Sequence, residues 1–170
     1  LQALREQAPD ILAGRLSACR ELITRCAATK VNIVSSDVRE EAGPGSGVAR
    51  VFLNLGHTFA HAIEPIAELD LRHGEAVAIG LVAAASCAQE LGMIESGRVQ
   101  RMRSIIEQVG LPTSISSSIP ADRLIHAMRF DKKAHDGQLR LVLPGPDGVT
   151  IHDDIPMDAV QRAWQVVGAA

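Results

Sequence analysis

Aromatic side chains make up only 2% of this 170-residue chain: one tryptophan, Trp164, three phenylalanines and no tyrosine. A core without aromatics must be filled by Ala, Leu, Ile and Val, which favours closely packed helices. No apolar run is long enough for a membrane span; the most apolar stretch, 76–88, contains Gly80 and reads as a buried helix. No cleavable leader pattern is present. Cysteine is scarce: Cys19, Cys26 and Cys87 are odd in number and lack metal-site spacing. They read as reduced thiols, giving a cytoplasmic expectation. Basic charge is not in excess. Lys plus Arg is 17 and Asp plus Glu is 20, so 17 − 20 = −3. That balance excludes non-specific nucleic-acid binding through a basic surface. No strand is followed by GxGxxG. The chain opens at Leu1 rather than Met, so it is expected to be processed or a piece of something longer. What is there is a folding composition: 46% hydrophobic and 22% charged residues exclude intrinsic disorder.

The periodicity predicts helices. Residues 1–12 form a short helical pattern interrupted by Pro9. Residues 16–34 carry Leu16, Cys19, Leu22, Ile23, Cys26 and Ala27 on one face. The glycine-rich stretch 43–47 reads as an exposed loop. Residues 50–63 read as helix, ended near Pro65. Residues 73–91 form a strong helix stopped by Gly92, and 96–109 another stopped by Gly110 and Pro112. A short helix spans 120–128. The period then changes: 138–143 alternates like a strand and pairs with 149–152 across 144–148. Residues 157–167 close the chain as a helix. The predicted fold class is mostly α with one small β-hairpin.

The chemistry concentrates in Asn54-Leu55-Gly56-His57-Thr58-Phe59-Ala60-His61-Ala62-Ile63-Glu64, followed by His73-Gly74-Glu75-Ala76-Val77. At i and i+4, His57 and His61 share one helix face, and Glu64 lies on the same side. His73 begins the next helix, so its ring can turn back toward the pair. Imidazole is the commonest metal ligand. Thr58 stands where a metalloprotease would carry its glutamate base, which excludes the HExxH pattern. Spacing alone leaves two readings open, a metal site or ordinary surface and capping histidines. Single residues likewise carry plain readings: Arg50 as a surface arginine, Asn54 as a helix cap, Lys132 and Lys133 as a solvated pair. Glu64 is read as hydrogen-bonding a histidine's free nitrogen, or else as facing solvent. His126, His135 and His152 show no partner pattern, and the cysteines read as small apolar residues.

The two histidine segments closely resemble the paired signature of the 3-dehydroquinate synthases, members of the sugar phosphate cyclase superfamily. Further pieces fall in order. Lys30 precedes Asp37-Val38-Arg39-Glu40, similar to the family's K…DERE segment. Asp131-Lys132-Lys133, then Asp136-Gly137-Gln138-Leu139-Arg140, resembles its DKK…GxLR hairpin. The resemblance covers about residue 16 to the end and is most specific at the histidines.

The resemblance implies that residues 1–170 form the helical metal- and substrate-binding domain. Such a domain is the C-terminal half of dehydroquinate synthase-like α/β proteins, and the N-terminal NAD-binding domain lies outside the chain. It implies a divalent metal, zinc or cobalt, held by His57, His73 and a glutamate from a helix upstream of Leu1. It implies that His61 is not a ligand but assists proton transfer. Arg50, Asn54 and a lysine of the Lys132-Lys133 pair match residues that bind phosphate or hydroxyls. Lys30 and Glu40 match residues lining the substrate pocket. The implied substrate is a small phosphorylated sugar acid, 3-deoxy-D-arabino-heptulosonate 7-phosphate. It is converted to 3-dehydroquinate with loss of phosphate, using NAD transiently, in the shikimate pathway. A homodimer is expected of the full-length protein, without nucleic-acid or membrane partners, and no activity is expected of residues 1–170 alone. The stretch 43–49 is longer than the family's usual turn. Two other readings remain: another cyclase, making amino-dehydroquinate or a cyclitol, or a stand-alone, non-catalytic helical domain.

Overall fold

The computed structural model describes residues 2–38, 50–116, 118–129 and 139–170. Helices α1 (Gln2–Leu12) and α2 (Leu16–Ser36) are followed by a 3-10 turn, Arg50–Asn54. Then come α3 (His57–Ile63), a short 3-10 turn Ala67–Leu69, α4 (His73–Glu90), α5 (Ser96–Gln108) and α6 (Ala121–Arg129). Strands β1 (Leu141–Gly145) and β2 (Gly148–His152) form one antiparallel hairpin, and α7 (Met157–Val166) ends the chain. The mostly α class with one hairpin is as the sequence predicts.

Helix α4 is the axis of the core and packs against α3, α5, α7 and β1. Its sequence is apolar all round, so it is buried on nearly every side; Ala76, Ile79, Val82 and Cys87 are fully enclosed. Its many alanines let neighbouring backbones come close. On one flank the sole tryptophan is buried. Trp164 meets Phe59 edge-on at 5.2 Å between ring centroids and donates its indole N–H to Met128 Sδ at 3.2 Å.

Helix α3 is held against α4 by two glycines. Gly56 has φ 78°, and a Cβ there would lie 2.7 Å from the Leu81 backbone nitrogen. A Cβ on Gly80 would overlap the Gly56 carbonyl oxygen. Only glycine at both positions permits this approach. The same left-handed Gly56 corrects the expected continuous helix over 50–63. The chain makes a 3-10 turn, reverses at Gly56 and restarts at His57.

Further expectations are corrected. Helix α1 runs through Pro9 without interruption. The hairpin loop is only Pro146-Asp147, because Pro144 and Gly145 pair with Val149 and Gly148 inside the strands. Strand β1 is buried along its whole length rather than on alternate residues, since it is packed under α4. Finally, the apolar face read on α2 is left largely exposed among the described residues. Ala18 is its only buried residue, while Leu16 is 86% and Ile23 67% exposed. Cys26 is exposed too, so it does not pack as an apolar residue; Cys87 does.

Candidate functional site

The loop–helix join at Gly56 places His57 at the first position of α3, and the α3–α4 contact brings it opposite His73, the first residue of α4. The His57 and His73 ring centroids are 5.6 Å apart, and those of His57 and His61 are 5.8 Å apart. Two imidazoles on one tetrahedral zinc, with Zn–N near 2.0–2.1 Å, put their centroids about 5 Å apart. The His57–His73 separation is therefore close to that of two rings sharing one ion. The Nδ1 atoms of His73 and His57 both have oxygen partners. His73 Nδ1 lies 3.1 and 3.2 Å from the two Glu64 carboxylate oxygens, and His57 Nδ1 lies 3.3 Å from the Leu55 carbonyl oxygen. A carbonyl cannot donate, and an ionised carboxylate only accepts, so in each ring Nδ1 carries the proton. In the neutral form of such a ring, the form that ligates a metal, Nε2 carries the lone pair.

Helix α4 begins tightly. The Arg72 N–H donates to Glu75 Oε2 at 2.8 Å, which fixes the first turn and the direction of His73. Glu64 closes α3 and is half-buried. The residues thus fit a divalent metal with two imidazoles. Among the described residues, however, no group of three or more His, Cys, Asp or Glu side chains is placed to hold one. The donor set is partial.

Arg50 and Asn54 lie on the 3-10 turn that leads into His57, and both are half-buried. Helix α2, which carries the exposed Lys30, packs near this turn. One residue was missed as a site component. Asp37 is buried, 7% exposed, and its Oδ2 accepts the Arg50 backbone N–H at 3.0 Å. Arg50 Nη1 donates to the Val38 carbonyl at 2.9 Å. Asp37 and Val38 together fasten Arg50 to the end of α2. Its presence in the Asp37-Val38-Arg39-Glu40 motif was the available signal. Glu40, Lys132 and Lys133 lie outside the described residues, as do the 43–49 stretch and His135. Elsewhere, His152 Nε2 meets Thr150 Oγ1 at 2.9 Å on the hairpin, apart from the histidine cluster.

The 3-dehydroquinate synthase C-terminal family model matches residues 1–134. The chain belongs to this family. A 3-dehydroquinate synthase from Nostoc punctiforme is 39% identical over 167 residues, 97% of this chain and 42% of that protein. One from Nitrosococcus oceani is 43% identical over 141 residues, 82% of this chain and 38% of that protein. The family member described here therefore spans less than half the length of these relatives. Its fold matches the 2-epi-5-epi-valiolone synthase of Streptomyces hygroscopicus, solved with NAD+ and Zn2+. The TM-score is 0.75 at 18% identity, covering 98% of this chain and 46% of that one. It also matches a 2-deoxy-scyllo-inosose synthase complexed with carbaglucose-6-phosphate, NAD+ and Co2+. There the TM-score is 0.57 at 20% identity, over 69% of this chain and 35% of that one. These structural likenesses show the fold. No described helix is long and apolar enough to cross a membrane.

Proposed function

We propose that this chain is the metal- and substrate-binding part of a 3-dehydroquinate synthase. The reaction converts 3-deoxy-D-arabino-heptulosonate 7-phosphate to 3-dehydroquinate and inorganic phosphate with no net redox change, a step of the shikimate pathway. The observation that carries the reading is the facing of His57 and His73, each with its Nδ1 proton committed to an oxygen. These two rings would hold a divalent metal, zinc or cobalt, through Nε2, with a further ligand from outside the described residues. When bound, the metal polarises the substrate hydroxyl and its carbonyl form, and NAD serves as a reversible hydride acceptor.

The chain's own residues have separate tasks. Glu64 orients His73 and raises its basicity as a ligand. His61, one turn after His57, relays the proton at the hydroxyl that is oxidised. Arg50, set by Asp37 and Val38, binds the anionic end of the substrate together with Lys132 or Lys133. Asn54 takes a substrate hydroxyl, and Lys30 and Glu40 line the pocket. NAD binding falls to a separate domain, and the exposed Leu16 and Ile23 on α2 support a covering body beyond these residues. The full-length protein is read as a cytoplasmic homodimer.

The closest competing activity is another cyclisation within the superfamily, and the solved neighbours are of that kind. The relatives near 40% identity favour dehydroquinate formation. Metal content and turnover of His57→Ala, His73→Ala and His61→Ala in the full-length protein test the assignment. The first two should lose metal and activity together; His61→Ala should lose turnover and keep metal. Loss of metal in His61→Ala alone would reverse the roles.

A further inference from the structure

Helix α4 is closed at its start by its own third residue. The Arg72 N–H donates to Glu75 Oε2 at 2.8 Å, and the Glu75 N–H returns to the Arg72 carbonyl at 2.9 Å. The two bonds tie residues 72–75 into a ring that encloses His73 and Gly74. A glutamate at the third position of a helix is placed to reach back in this way. Helices α2, α3, α5 and α7 start without such a reciprocal tie.

The helix that has the tie is the one whose stability needs it least. No other described helix buries as many residues as α4, and burial of apolar faces supplies most of a helix's stability in a protein. What the tie holds is the residue inside it. His73 is exposed, and Gly74 after it has open space where a Cβ would lie. Before it, the chain turns through Asp70 in the left-handed conformation, φ 45°, so no rigid element delivers His73 from that side. Glu64 holds the ring at Nδ1, and Glu75 holds the backbone from which the ring springs.

We propose that Glu75 is a positioning residue for the metal, acting through His73. By closing residues 72–75 it fixes where the His73 side chain starts, and with it the approach of that ring to His57. A binding constellation has to be held within about 0.5 Å of its productive geometry, which a frayed first turn would not do. The proposal rests on the reading of His57 and His73 as metal ligands. Glu75 acts here through its hydrogen bond and not through its charge, although a carboxylate in a helix's first turn also complements the dipole.

The test is zinc affinity of the full-length gene product, measured by chelator competition with urea midpoints alongside. Glu75→Ala should weaken zinc binding by about tenfold or more, the loss typical of a partner that orients a ligand. Glu75→Asp keeps the charge but is one methylene short of Arg72, and should bind zinc as weakly as the alanine variant. Glu75→Gln keeps an acceptor of the right reach and should stay near wild type. Val160→Ala, at a fully buried residue of α7, should lower the midpoint and leave zinc affinity unchanged. Wild-type affinity in Glu75→Asp together with a loss in Glu75→Gln would overturn the proposal in favour of charge. Unchanged affinity in Glu75→Ala would overturn it, as would an equal loss in Val160→Ala, which would make the effect one of general stability. His73→Ala separates these from the underlying reading: if it loses zinc while Glu75→Ala does not, the proposal alone fails. Zinc binding that survives His73→Ala would overturn the ligand assignment and the proposal with it.

Discussion

Gly56 and Gly80 touch backbone to backbone: a methyl group on Gly80 would overlap the Gly56 carbonyl oxygen. This contact sets how closely α3 lies on α4, and through it the separation of His57 and His73. Gly80→Ala should force the helices apart. Overpacking of this kind costs about 1–3 kcal/mol. A lower urea midpoint followed by Trp164 fluorescence, together with weakened zinc binding, is the expected result. An unchanged midpoint and unchanged zinc affinity would show that the glycine pair does not set the spacing.

Glu64 holds His73 through both carboxylate oxygens. Removing the partner of a metal-ligating histidine typically lowers metal affinity by roughly 10–100-fold. Glu64→Ala should therefore weaken zinc binding by that order in a chelator competition assay. Glu64→Gln retains an acceptor oxygen and should lose less. Equal losses in the two variants would point to the negative charge, rather than the hydrogen bond, as what Glu64 contributes.

The histidine site was legible because its spacing is local. His57 and His61 are one turn apart, and His73 follows a short connection, so helix geometry alone brings them near one another. The break at Gly56 was not legible from apolar spacing, because the close approach of Gly80 that requires it comes from a different helix. The hairpin shows the same limit. Pro144 and Gly145 read as turn residues, yet burial under α4 draws them into β1. On α2, periodicity identified the apolar face but carries no information about what covers it. Leu16 and Ile23 remain exposed. Asp37 was visible only as part of a motif, since its partner Arg50 is distant in sequence and the hydrogen bond is a tertiary one.

Cys87 provides a pH prediction. Burial, with a smaller contribution from the Glu90 carboxylate, pushes its thiol from 9.0 up to about 12. The folded state therefore keeps the proton that the unfolded state gives up above pH 9. The associated stability is fully present below pH 9 and is lost as pH rises from 9 toward 12. Urea midpoints should fall across that window, and by less in Cys87→Ala once its cavity cost is subtracted. At pH 8 a thiol reagent should modify the exposed Cys26 quickly and Cys87 only on unfolding. Fast labelling of Cys87 in the native protein would contradict its burial.

The contact between Asp37 and Arg50 leads to a prediction about substrate binding. The Asp37 carboxylate accepts the Arg50 N–H from a buried position, while Arg50 Nη1 is drawn to the Val38 carbonyl. Asp37→Ala leaves that N–H without its acceptor, a loss of about 1–3 kcal/mol where the group stays buried. Arg50 then loses its fixed origin. Because Arg50 is assigned to the anionic end of the substrate, KM should rise about tenfold in the full-length enzyme, with kcat and metal content nearly unchanged. Asp37→Asn keeps a side-chain oxygen that can accept the same hydrogen bond and should restore most of the affinity. Should kcat fall in Asp37→Ala while KM holds, Asp37 would be acting on the chemical step and not through the placement of Arg50.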